Sequence, residues 1–133
     1  MLLVISKSYN NTVDSSDVVS CISVWDFLEG HKDILCKSHL PMNVIDGRWN
    51  YYLGDSTEFV TLSERKYHYW KITNTLNLQY QEGDIPKAKN LFGSKEDKFT
   101  SLEFVVPTAE QIFTYLLIGL NNGYVWVSDA RAN

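Results

Sequence analysis

The chain has 133 residues, 44% hydrophobic, 21% charged and 14% aromatic, with a formal net charge of −4. Enough apolar and aromatic surface is present to build a packed core, which excludes a disordered segment. The acidic balance argues against a general nucleic-acid binder and against adhesion to anionic membranes, since both need a basic footprint.

Residues 1–7 read as a strand, and the Asn-, Ser- and Asp-rich residues 8–17 as a long hairpin loop. Residues 18–27 alternate well enough for a second strand, residues 28–33 form a turn around Gly30, and residues 34–39 give a third strand. Pro41 marks a break, because it cannot donate to a central ladder. The next unit holds strands at 43–49, 58–62 and 67–72, with turns at 50–57 (Gly54, Asp55) and 63–66. Leu76, Leu78 and Tyr80 then alternate with Asn77, Gln79 and Gln81, the period of a half-buried edge strand over 76–81. Residues 82–98 are one long break with Pro86, Gly93 and mixed charge. Three more strands follow at 99–106, 112–119 and 124–128, the last two joined by Asn121-Asn122-Gly123. One helical turn at Ala109-Glu110-Gln111 is the only hint of helix. The strands count three, then four, then three, so the chain is expected to begin and end inside sheets.

The apolar run of residues 1–5 ends at Ser6-Lys7, too short for a signal-peptide core. No stretch approaches the roughly 18 apolar residues of a membrane helix, so a cytosolic or cytoskeletal address is expected. Asn10-Asn11-Thr12 is then a chance match to a glycosylation acceptor. Cys21 and Cys36 are the only cysteines. Folding the hairpin near Gly30 sets Cys21 opposite a position close to His39, so two free, half-buried thiols in a reducing compartment are expected.

A short-strand ending recurs: Ser23-Val24-Trp25-Asp26-Phe27, Tyr67-His68-Tyr69-Trp70-Lys71 and Val125-Trp126-Val127-Ser128-Asp129. Trp25 and Trp70 lie 45 residues apart, and Trp70 and Ser128 lie 58 apart. Periods of roughly 40–45 residues point to propeller blades, and the break at 82–98 accounts for the longer second interval. A closed propeller takes about four to eight blades, more than this length supplies, so neighbouring sheets are expected from the same or another chain.

These hairpins resemble the WD-repeat family. Trp25-Asp26 is the literal ending, Trp70-Lys71 keeps the Trp and Ser128-Asp129 keeps the Asp. Glu64 and Asn122 stand six residues before Trp70 and Ser128, where the family usually has Asp, and Val19 stands there in the first unit. Ser38-His39 occupies the place of the family's Gly-His. The resemblance implies that His39, Thr61 and Trp70 form a polar chain inside the blade. It implies an all-β propeller fragment of about two and a half to three blades of antiparallel four-stranded sheets, incomplete at both ends. The blades would cover residues 1–40, 42–81 and 99–133, with an insertion loop at 82–98. The degenerate repeats, with Lys98-Phe99-Thr100-Ser101-Leu102 after the insertion, are similar to the divergent tandem propellers of microtubule-associated, ciliary and centriolar WD-repeat proteins. The echinoderm-microtubule-associated-protein-like family shares this layout. That implies a non-catalytic scaffold with protein partners, tubulin or axonemal and centriolar proteins among them, and no cofactor.

Motifs for chemistry are sparse. Cys36 and His39 are the only close pair of metal-ligand types, more simply structural than a zinc site. Leu91-Phe92-Gly93-Ser94-Lys95 lacks the paired glycines and Gly-Lys-Ser/Thr order of a phosphate loop, and Gly-x-Ser-x-Gly is missing. Trp49, Tyr51, Tyr52, Tyr67, Tyr69 and Trp70 could stack bases or cage a methylated lysine, but strands that pack face to face are aromatic for that reason alone. Lys87, Lys89, Lys95 and Lys98 outweigh Glu96 and Asp97 and form the candidate interaction loop, whose alternative is a solvated connector. The competing expectation is a propeller that reads peptides or substrates in a regulatory complex through a pocket lined by Arg65 and Lys66.

Overall fold

The computed structural model of the chain describes residues 1–9, 18–26, 33–50, 57–83, 95–106 and 114–129. Ten strands run through them: β1 (Leu2–Tyr9), β2 (Val18–Asp26), β3 (Asp33–Leu40), β4 (Val44–Trp49), β5 (Glu58–Ser63), β6 (Tyr67–Ile72), β7 (Leu78–Glu82), β8 (Phe99–Val105), β9 (Tyr115–Leu120) and β10 (Val125–Asp129). They form three antiparallel sheets in chain order, β1-β2-β3, β4-β5-β6-β7 and β8-β9-β10. The molecule is all-β, and no helix occurs among the described residues. The helical turn expected at 109–111 lies outside them.

One strand start is corrected. Leu76 does not open the fourth strand of the middle sheet. It sits in the turn before β7 with φ of 57° and is half exposed. Its amide donates to the Thr73 carbonyl at 2.9 Å, and Thr73 N–H reaches back to the Asn77 carbonyl at 2.9 Å. A tight hairpin closing here requires one left-handed residue, and the chain places a leucine in that costly conformation.

The middle sheet is buried on both faces because β5 and β6 are apolar at consecutive positions. Phe59 and Trp70 point toward the first sheet and join Ile22, Val24, Cys36 and Leu40 in one core. Val60, Leu62 and Tyr67 point the other way and join Phe99, Leu102, Phe104, Leu116, Ile118 and Leu120 in a second. A strand covered on both sides reads as a continuous apolar run, while β8 and β9 alternate strictly because only one face is covered. Each fully buried side chain of this size contributes about 1.5–3 kcal/mol.

Two buried polar contacts pin the layers together. Ser20, fully buried in β2, donates from Oγ to the Met42 carbonyl at 2.8 Å and accepts from Val44 N–H at 3.0 Å. It thereby fixes the short turn from β3 into β4. On the other side, Asn50 Nδ2 donates to Thr114 Oγ1 at 3.3 Å, joining the end of β4 to the start of β9. These groups hold positions that packing alone would leave free to slide.

The order of stacking follows from the connections. β4 lies against β1 and β7 against β3, so the chain leaves the far edge of the first sheet and restarts the next over its first strand. β8 repeats the return, packing on β4 and β5.

Candidate interaction face

Across the middle sheet the register aligns Trp49, Phe59, Trp70 and Tyr80, one residue from each strand. Trp49 meets Phe59 edge-on at 5.1 Å, Phe59 stacks on Trp70 at 5.7 Å, and Trp70 meets Tyr80 at 4.8 Å. Trp70 and Phe59 are fully buried, so these two rings belong to the core and not to an exposed cage. Tyr51 and Tyr52 lie outside the described residues.

Trp70 Nε1 donates to Thr61 Oγ1 at 2.8 Å, with both side chains fully buried. His39 does not join them. It is exposed on β3 opposite Cys21, because a side chain two residues from Cys21's own neighbours on that face points away from the middle sheet. The histidine beside this pair is His68, whose backbone is directly opposite Thr61 and whose ring is 1% exposed. Alternation along β6 puts His68, Trp70 and Ile72 on one face, a signal visible in the sequence once the strand is drawn.

His68 lies edge-on to Tyr80 at 5.1 Å, and its Nδ1 has no hydrogen-bond partner among the described residues. Burial pushes its pKa below the ordinary 6.5, outweighing the nearby Glu82 carboxylate that pulls it up, while Lys66 pushes it further down. The 4.0 Å approach of His68 Nε2 to Glu82 is therefore a contact with a neutral ring at pH 7. Glu82 instead pairs with Lys66 at 2.8 Å, and the Lys66 hydrogen bond holds its carboxyl below the usual range. Both partners are half exposed, so the pair adds little stability.

In the first unit, Trp25 is half-buried and donates from Nε1 to Ser23 Oγ at 3.0 Å, while Asp26 ends β2 and pairs in register with Asp33. In the third, Asn122 Oδ1 accepts from Tyr124 N–H at 3.1 Å, a turn-forming contact. Ser128 is half-buried and lies opposite Leu116, and Asp129 closes β10 opposite Tyr115. Glu64 is exposed and reaches Lys98 at 3.9 Å.

Three connections meet at one end of the stack. Phe99 N–H donates to the Glu64 carbonyl at 2.7 Å, and Asn121 N–H donates to the Lys98 carbonyl at 3.1 Å. Asn121 Oδ1 accepts from Lys98 N–H at 2.9 Å, and its Nδ2 donates to the Glu96 carbonyl at 2.9 Å. Arg65 Nε donates to the Asp97 carbonyl at 3.2 Å. The segment before β8 is thus stitched to the β5–β6 and β9–β10 turns by backbone and amide contacts.

That geometry corrects the charge expected of the lysine loop. Lys87 and Lys89 lie outside the described residues. Lys95 and Lys98 are exposed beside Glu96 and Asp97, and Glu64 and Glu82 approach from neighbouring elements. The cations of this end, Arg65, Lys66, Lys95 and Lys98, face as many carboxylates, Glu64, Glu82, Glu96 and Asp97. The described face is mixed in charge and ordered by hydrogen bonds.

Cys21 and Cys36 are both free, with Cys21 opposite His39 and Cys36 opposite Val24 as adjacent strands require. Burial raises the Cys36 thiol above its ordinary value. Among the described residues no three His, Cys, Asp or Glu side chains gather to hold a metal ion. No protein-family model, curated protein or solved structure matches this chain.

Proposed function

We propose that the chain is a non-catalytic protein-interaction scaffold whose three sheets are blades of a WD-repeat-like propeller. The observation that carries this reading is the repeated return of the chain: β4 restarts over β1, and β8 over β4 and β5, so successive meanders stack in order like blades. A sandwich would instead exchange strands between two facing layers. The interaction face is the stitched end at Glu64, Arg65, Lys66, Lys98 and Asn121, where three connections from two sheets present one rigid, mixed-charge surface.

The WD-repeat resemblance adds tubulin or an axonemal or centriolar protein as partner, with a cytoskeletal address. Cosedimentation of the chain with polymerised tubulin tests that partner, using wild type and a Lys87→Glu/Lys89→Glu/Lys95→Glu/Lys98→Glu variant. Binding that falls at least tenfold in the variant and weakens with salt is expected. Cosedimentation no better than that of an unrelated acidic protein removes tubulin as partner.

A further inference from the structure

The outer edge of β1 has no strand beside it among the described residues, while its inner edge pairs along its whole length with β2. Next to that edge the stack is under-filled. In the middle sheet β8 rests on two strands, β4 and β5, whereas β4 rests chiefly on β1. The missing width is that of one strand, roughly 4.7–4.9 Å. A cleft of about 400 Å³ opens at this place, with Leu2, Leu3 and Ile5 of β1 on one wall and Ile45, Arg48 and Trp49 of β4 on the other.

The cleft is continuous with the core between the first and middle sheets, because Leu3, Ile5 and Trp49 belong to both. Leu2 and Ile45 are exposed there at 45% and 38%. The close approach of Ile5 and Leu3 to Gly47, where an added Cβ would lie 2.9 Å and 3.1 Å from their terminal methyls, seats β1 directly over β4 and leaves the opening at its side. An unpaired strand edge offers a row of backbone donors and acceptors, which only another extended backbone matches along its length.

We infer that β1 receives an extended segment of a partner protein, apolar at alternate residues, which adds to the first sheet as a fourth strand and sets its apolar side chains on Ile45 and Trp49. The connections inside this chain are poor donors. Residues 10–17 and 84–94 are polar or charged, and the latter contain Pro86. This inference names a partner class for the scaffold proposed above and rests on that reading, but it needs only the stack and no closed ring.

The test uses the 133-residue chain and a fluorescein-labelled peptide with the sequence of residues 42–50, since β4 fills the corresponding place beside β5. Saturable anisotropy is expected at concentrations on the order of 10 μM to 1 mM. Methylating alternate backbone nitrogens of the peptide should weaken binding at least tenfold, and so should Ile45→Lys in the chain, whose circular dichroism should match wild type. An absence of saturable binding, or binding indifferent to N-methylation, overturns the inference. So does a light-scattering mass of two chains that Ile45→Lys halves, because a second copy then holds the edge. Failure of tubulin cosedimentation leaves peptide binding unaffected, so the two readings fall separately.

Discussion

Thr61 and Trp70 form a buried polar pair whose value lies mostly in what its loss would leave behind. Thr61→Val keeps the shape but strands the indole N–H in a fully buried site, at a cost of about 1–3 kcal/mol in urea denaturation. In a double-mutant cycle with Trp70→Phe, a coupling on the order of 1 kcal/mol is expected, and additive effects would show that the bond contributes nothing. His68 supplies a pH dependence of defined sign. Its folded pKa is depressed by burial, so between that value and 6.5 the unfolded chain binds the extra proton. Stability is therefore full above about pH 6.5 and falls as the pH drops below it. His68→Phe should flatten the urea midpoint between about pH 7 and pH 5 relative to wild type, and an unchanged slope would remove His68 as its source. The paired carboxyl of Glu82 acts in a separate window, below the ordinary 4.5. Trp70 and Thr61 were legible as a pair because the repeat ending marks one and the strand alternation the other. His39 was not, since a motif position does not reveal which face of β3 a side chain takes.

At the scale of elements, close backbone approaches decide which glycines are replaceable. A Cβ at Gly83 would meet ring atoms of Tyr67 at 2.0–2.5 Å, and that ring is itself buried in the core against the third sheet. Gly83→Ala should cost about 1–3 kcal/mol, because the whole ring must shift. Gly47→Ala should cost less, since its contacts are rotatable methyl ends of Ile5 and Leu3. Chemical denaturation of both variants checks the order, and the reverse order would contradict the packing of Tyr67. Nine of the strands were readable near their observed bounds from turn residues and alternation. β7 was misplaced at its start because Leu76 continues the period-two pattern while its backbone makes the turn. Local chemistry there favours Gly or Asn, and the structure accepts a strained leucine instead.

For the whole molecule, the three-four-three division of strands could be read from the sequence, but the stacking order could not, because it depends on which edge each new sheet restarts from. Charge was the least legible property. Counting lysines along residues 87–98 gives a basic loop, whereas folding brings Glu64 and Glu82 to the same end and cancels it in the described region. The central claim is that one sheet is covered on both faces by two others. Methyl–aromatic nuclear Overhauser contacts in the isotopically labelled chain test it most directly. Phe59 and Trp70 ring protons should see methyls of Ile22, Val24 or Leu40, while Val60 and Leu62 methyls should see Phe104, Leu116 or Ile118. Contacts from both groups to a single sheet, or from neither, would contradict the stack.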